Sequence, residues 1–459
     1  MKFSKLTILV ILIIAFSLFL RWWHLSEMVV FDADQEHFAW VADRILNQKK
    51  PMLIGMKAGE FPVFIGPGIY YLFSLAYFIN KGDPLAINFL NLIISVATLA
   101  TIYFVGRKIF SQTTGIMALI LYGTAMVFIR YDRMAWLLTT LPLLSLLLLY
   151  CLKQINQKNQ KKYFIYIGAI LTLAWQSHIT GLFFWPICGL VLLFNKFKIK
   201  TKYLLVGVGI GMLGFLPNLF FDLRHDFLNT KGWLGLVSGN GQHVNYLFRI
   251  KDLLIYTLEN ELRFLGFSFS NLSLALAALL IIYWFYKAIF DKSKYNLAYK
   301  ISLLFIVVPI VIFWPQSVHT PEYYFLLSFP ILVILTAQTL AQLFSFKMGR
   351  ILVPALIGLI IYLNLIKFYN ESADNLINLK NKKAVVEYIL SQEPNYNFRL
   401  KYEADRGQAT GIEYLLYYKT GQKYDLVNET KPDYLIVIPY NYRDLEIDQK
   451  FGGIGLIEN

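Results

Sequence analysis

Up to about residue 370 the chain alternates apolar stretches of 15 to 23 residues with short polar turns. As helices, such stretches approach the length that crosses about 30 Å of hydrocarbon. The pattern predicts about eleven spans, at 6–23, 84–106, 112–130, 134–152, 163–177, 180–195, 203–221, 271–290, 300–316, 323–344 and 350–369. Eighteen Lys and Arg residues in alternate turns, against the single carboxylate Asp291, fall on one side of the bilayer under this count. Basic turns stay cytoplasmic, so the expected topology has the N-terminus inside and the C-terminus outside. A twelfth span at 66–80 would invert every later turn. That stretch is therefore expected to lie in the outer interface, with Tyr70, Tyr71 and Tyr77 at headgroup level. Two long external loops result, 24–83 and 222–270, the second holding an interfacial helix at 252–265.

From residue 370 the pattern changes to mixed charge with short periodic elements. A helix is expected at 383–390, with strands at 397–402 and 433–439. The predicted fold is an all-α polytopic membrane protein: residues 1–369 form the membrane domain and residues 370–459 a small external α/β domain.

Composition agrees: 57% of residues are hydrophobic, 17% aromatic and 16% charged, with mean hydropathy +0.51. The net charge of +14 lies in the short turns, which argues for a bilayer as partner and against nucleic acid. Cys151 and Cys188 sit in apolar stretches and give neither a disulfide framework nor metal spacing. The first apolar run ends in Arg21-Trp22-Trp23 without a small-x-small cleavage site, so an uncleaved first span is expected.

The chemistry concentrates just after that span, in Phe31-Asp32-Ala33-Asp34-Gln35-Glu36-His37-Phe38. Three carboxylates beside a bilayer are costly. Asp32 or Asp34 could cap the following helix, but a cap accounts for one acid, not three. Asp34 is the first candidate for a catalytic base and Glu36 the second, with Asp32 nearby. Candidate cations for an anionic substrate occur on the same side: Arg130 and Arg133 in one turn, Arg224 and His225 in another, and Lys57 ahead of the Gly66-Pro67 turn. Arginine suits fork-like contact with phosphate. His178, His319, Glu322 and Tyr323 lie at further external turns. Four of the six histidines (His37, His178, His225, His319) fall on this rim, and His24 ends the first span, as around the mouth of a site. No spacing among them matches a metal motif, and neither metal nor cofactor is expected.

These motifs, in this order, resemble the GT-C superfamily of membrane glycosyltransferases, in the branch of the protein O-mannosyltransferases and lipid A aminoarabinose transferases. Asp34-Gln35 stands where that branch has an acidic Asp-Glu or Asp-Gln pair. Gly66-Pro67-Gly68-Ile69-Tyr70-Tyr71-Leu72 is similar to its Gly-Pro-Leu-Tyr-Tyr-Leu element. Asp83-Pro84-Leu85-Ala86 and Val105-Gly106-Arg107-Lys108-Ile109-Phe110 follow at familiar spacing. The run Pro217 to Phe227, with Phe221-Asp222-Leu223-Arg224-His225, resembles its Phe-Glu-Leu-Arg-His segment. The resemblance covers about residues 6–345 and the outline of an external C-terminal domain. Gln35 and Gly68 depart from the commoner pattern.

The resemblance implies an inner or plasma membrane enzyme with an extracytoplasmic site. It would transfer a sugar from a polyprenyl phosphate to an envelope lipid, glycan or protein, with inversion and with Asp34 as base. A phosphodiester leaves without a proton, so the chemistry asks for one base opposite the leaving group and for cations around the phosphate. Tyr70 and Tyr71 would line the pocket. Two rival readings stand beside it. A flippase of lipid-linked sugars would place its ionisable groups near mid-membrane, often in repeated halves, and no repeat is visible. An envelope glycan polymerase would differ by making chains.

Overall fold

The computed structural model describes residues 4–58, 62–155, 160–195, 199–238, 245–316, 320–374, 376–405, 411–424, 432–442 and 445–459. The candidate His319 lies outside the described residues.

The chain opens with α1 (Lys5–Trp22), the short α2 (Leu25–Met28), α3 (Ala33–Leu46), α4 (Gly68–Ile79), α5 (Ala86–Ile109), α6 (Gln112–Thr124) and α7 (Met126–Arg133). The bundle continues with α8 (Thr140–Gln154), α9 (Gln160–Ser177), α10 (Phe184–Phe194), α11 (Thr201–Leu213), α12 (Leu216–Arg224) and α13 (Leu228–Ser238). It is completed by α14 (Tyr246–Leu265), α15 (Asn271–Phe290), α16 (Asn296–Phe313), α17 (Phe329–Phe344) and α18 (Gly349–Asp374).

All eleven predicted segments are helical, but they do not all have the dimensions of a span. Among the described residues, five helices (α1, α5, α15, α16, α18) are long and apolar enough to cross a bilayer, or seven if each bent pair is one span. The pairs are α6–α7, bent by 64°, and α11–α12, bent by 50°. Three shorter helices, α8, α10 and α17, are each preceded by a 3₁₀ turn, at Leu137–Thr139, Ile179–Phe183 and Glu322–Phe325. Hydropathy counts apolar residues in a run and does not register where the regular α-helix bends or stops.

The bend between α6 and α7 falls at Ala125. It frees carbonyls at the end of α6, and the buried Arg21 fills them, donating to Gly123 O at 2.9 Å and Tyr122 O at 3.4 Å. Its Nε meets Asp132 Oδ2 at 2.7 Å, and Ser95 Oγ donates to the same oxygen. A buried ion pair is tolerable only with its remaining hydrogen bonds satisfied, and here the broken helix supplies them.

The basic turns gather at one end of the bundle. Lys153 Nζ donates to Lys294 O, Tyr295 Oη to Phe110 O, and the Lys200 N–H to Gln160 Oε1. The acidic helix α3 belongs to the opposite end. There α4, 12 residues long, spans about 18 Å at 1.5 Å per residue and packs against α3. Of the three tyrosines expected at the interface, Tyr70 and Tyr77 pack into the protein, at 3% and 2% exposed, and Tyr71 is open. The helix expected at 252–265 begins six residues earlier, as α14.

The C-terminal residues form a four-stranded sheet of β1 (Leu400–Ala404), β2 (Tyr434–Ile438), β3 (Gln449–Phe451) and β4 (Ile454–Glu458), in the order β1-β2-β4-β3. Strands β1 and β2 are parallel, with Leu400 opposite Tyr434; β4 runs antiparallel to both β2 and β3. A parallel pair needs a crossover, which includes α20 (Ile412–Thr420); α19 (Leu379–Gln392) precedes the sheet. The expected strand at 397–402 starts three residues too early, and the expected helix at 383–390 is the middle of α19. Helix α20 and the β3–β4 hairpin were not foreseen. This unit shares its core with the segment between α1 and α5: Phe31, Phe38, Ala39, Tyr70 and Phe73 cluster with Leu379, Val385, Ile412, Leu415 and Ile436.

Candidate active site

Helix α3 starts at the N-cap Asp32, whose N–H donates to Gln35 Oε1 at 3.0 Å; Gln35 Nε2 in turn reaches Ala135 O at 3.2 Å. Gln35 thus ties the acidic helix to the turn after α7. The three carboxylates then diverge. Asp32 pairs with Lys382 Nζ of α19. Glu36, 5% exposed, accepts the Gly411 and Tyr414 N–H groups, each at 2.8 Å, and so caps α20 from outside its own helix. Asp34 has neither arrangement. It stands half-buried in the first turn of α3, and its charge acts on His37, Tyr70 and Tyr323. Burial, with the Asp32 charge adding to it, raises its pKa above the ordinary value, while His37 opposes the rise.

The three side chains His37, Tyr70 and Tyr323, linked to Asp34 by its charge, come from α3, α4 and the 3₁₀ turn before α17. His37 Nε2 and Tyr70 Oη are 2.9 Å apart. Tyr323, from the 3₁₀ turn before α17, meets Trp136 edge-on at 4.6 Å, and Trp136 lies 5.8 Å from Tyr131. Tyr131 Oη donates to Glu322 Oε1 at 3.1 Å. Tyr324 packs on His178 at 5.4 Å. Glu322, Tyr323 and His178 are thus linked through Tyr131, Trp136 and Tyr324, and the Asp34 charge reaches both Tyr323 and Tyr70. Tyr71 faces away and is held by Met52, with its hydroxyl 2.9 Å from the Met52 N–H and 2.8 Å from Met52 O. His178 bonds Thr180 through Nδ1 at 2.9 Å, and burial pushes its pKa down to about 3, so it is a neutral wall and not a cation.

The candidate cations separate in the same way. Arg133 is buried at the end of α1, donating to Leu20 O, Arg21 O and Trp23 O; capping a helix C-terminus occupies the guanidinium, and the structure does not offer it to a phosphate. Arg130 grips Glu371 with two donors, Nε to Oε1 at 2.7 Å and Nη2 to Oε2. Lys367 lies within reach of the charges of both Arg130 and Arg263. Arg224 is exposed, and His225 stacks on Phe221 at 4.1 Å. Their segment fastens the loop before α4, where Asn218 Nδ2 donates to Phe64 O and Ile65 O, while Asp222 accepts from the Asn229 and Thr230 N–H groups. Lys57 projects from the hairpin fastened in this way, paired across to Phe64. Sequence reasoning missed Arg249, whose Nη2 donates to Thr320 Oγ1 two residues before Glu322. It also missed Trp136, Tyr131, Arg263, Lys367 and Lys382. A lone Arg in an amphipathic helix carries no motif; only the fold brings it to the rim.

Comparison with solved structures decides the architecture. ArnT from Cupriavidus metallidurans bound to undecaprenyl phosphate superposes with TM-score 0.65 over 97% of this chain and 97% of that one, at 11% identity. The chain carries the GT-C fold. The Archaeoglobus fulgidus oligosaccharyltransferase in its apo form shares the GT-C fold less fully, with TM-score 0.52 and 14% identity over 91% of this chain and 64% of that one. The archaeal oligosaccharyltransferase AglB from the same organism, in complex with an inhibitory peptide and a dolichol-phosphate, gives TM-score 0.52 and 12% identity over 90% and 63%. Residues 64–221 match the family model described as dolichyl-phosphate-mannose-protein mannosyltransferase. The resemblance read from the motifs therefore holds. No curated protein matches in a search by sequence.

Proposed function

We propose that this protein is an inverting glycosyltransferase. It takes a sugar from a polyprenyl phosphate and attaches it to an envelope lipid, glycan or protein at the outer face, with the N-terminus cytoplasmic and the C-terminus outside. Asp34 accepts the proton of the acceptor hydroxyl. The acceptor oxygen bonds to the anomeric carbon as the bond to phosphate oxygen breaks on the opposite face, and the phosphate leaves unprotonated. Arg249 and Lys57 hold that phosphate, with Arg130, Arg263 and Lys367 adding positive field at the rim; Arg224 and His225 lie farther along the Lys57 hairpin support. Tyr70, Trp136 and Tyr323 supply the aromatic faces against which a sugar ring packs.

The observation that carries this reading is the division of labour among the three acids at the start of α3, Asp32, Asp34 and Glu36. Asp32 has Lys382 and Glu36 has two backbone N–H groups, which leaves Asp34 toward His37, Tyr70 and Tyr323. The fold shared with a polyprenyl-phosphate-bound relative and the motif match support the donor class.

The test is release of free polyprenyl phosphate by purified wild type and Asp34→Asn. Each is given a panel of polyprenyl-phosphate monosaccharides and membrane extract. Wild type turns over, and the variant loses at least about 100-fold in rate, the span of general-base catalysis, while still binding donor. Equal release by both removes Asp34 from the role. No release with any donor sinks the transferase reading.

A further inference from the structure

Lys382 is a fully buried lysine on α19, and it reaches out of the C-terminal unit into the start of the acidic helix. Its Nζ donates to Phe31 O at 2.9 Å and pairs with Asp32, while its side chain is 0% exposed. A buried lysine charge is held only by a partner. Further ties fix the same approach. The Leu379 N–H donates to Val29 O at 3.0 Å. A Cβ on Gly411 would stand 2.0 Å from Phe31 O. The outer unit thus lies directly on residues 29–32.

We propose that Lys382 is a positioning residue for the transfer: its ammonium compensates Asp32, so that among the described residues Asp34 is the carboxylate of the Asp32–Glu36 run with neither a basic side chain nor a backbone N–H bound to it. The proposal rests on Asp34 being the base. Without Lys382, two ionised aspartates two residues apart in one cap would repel, and each would hold its proton more tightly. The charged and titratable groups in play are few. Among the described residues, Asp32 and His37 act on Asp34, the Asp34 charge acts in turn on Tyr70 and Tyr323, and Asp32 and Glu36 face Lys382. A unit that looks like an appendage therefore sets the ionisation of the site, and loosening it shifts the base as well as the structure.

The experiment follows the Asp34 carboxyl by infrared difference titration of the full chain in nanodiscs, its band assigned by loss in Asp34→Asn. This readout needs no turnover. Lys382→Met moves the Asp34 titration up by about half a pH unit or more, Asp32→Asn moves it down by a similar amount, and Lys382→Arg keeps it near wild type. In parallel, the acid limb of the wild-type and variant rate profiles moves with the band. If the band stays in place in both Lys382→Met and Asp32→Asn, Lys382 is only a structural tie and the proposal is overturned. Asp32→Asn keeps the test alive should Lys382→Met fail to fold. A failure of the transferase reading shows separately, as a wild type that titrates normally but releases no polyprenyl phosphate.

Discussion

Glu36 measures how firmly the outer unit grips the acidic helix. Its two oxygens accept the Gly411 and Tyr414 N–H groups at 2.8 Å each, in a site where Glu36 is 5% exposed. Glu36→Ala leaves both donors buried without an acceptor. Each orphan costs about 1–3 kcal/mol, so the C-terminal unit loses about 2–6 kcal/mol of its attachment. Glu36→Gln keeps one oxygen and loses about half of that. The assay is hydrogen exchange followed by mass spectrometry in detergent, on peptides covering α19 and α20. A loss of 2 kcal/mol is about a 30-fold rise in local opening, so exchange in 412–420 accelerates by about that factor or more in Glu36→Ala, while α5 and α16 are unchanged. The pH dependence follows from burial, which outweighs the donors and raises the Glu36 pKa above 4.5. A carboxyl with a raised folded pKa contributes most below its unfolded value and loses that contribution as pH rises through the folded one. Wild-type attachment therefore weakens as pH rises from 4.5 through that range, and Glu36→Gln loses the dependence. Unchanged exchange in Glu36→Ala would refute the cap, as would equal acceleration throughout the bundle.

The remaining predictions concern the base, the interface and the bundle. Because burial raises the Asp34 pKa above 3.8, the acid limb of kcat lies above that value, read from initial rates of polyprenyl phosphate release. Gly411→Ala adds a Cβ at φ +106°, 2.0 Å from Phe31 O; it frees the outer unit from α3, seen as faster proteolysis of residues 376–459 with the bundle intact. Arg21→Met strands the buried Asp132 and lowers stability by about 3–5 kcal/mol, measured by thermal unfolding in detergent, whereas Arg21→Met/Asp132→Leu recovers most of it. Tyr71→Phe leaves kcat within about twofold and Tyr70→Phe lowers it by more, since only Tyr70 bonds His37.

The apolar runs and basic turns by themselves determined that the chain is a helical membrane protein, which turns share an end of the bundle, and where the acidic helix lies. These are properties of local composition, because transfer from water is decided residue by residue. The same reading could not say which apolar runs are long enough to span, since bends at Ala125 and Gly214–Phe215 and the 3₁₀ turns before α8, α10 and α17 are settled by packing. It put Asp34 ahead of Glu36 and Asp32, but it could not say what holds each of the three. Alone, they are three acids in five residues. Their roles separate only when Lys382, Gly411 and Tyr414 arrive from about 350 to 378 residues away along the chain, because a carboxylate's work depends on which donors surround it, and those donors are placed by the tertiary fold.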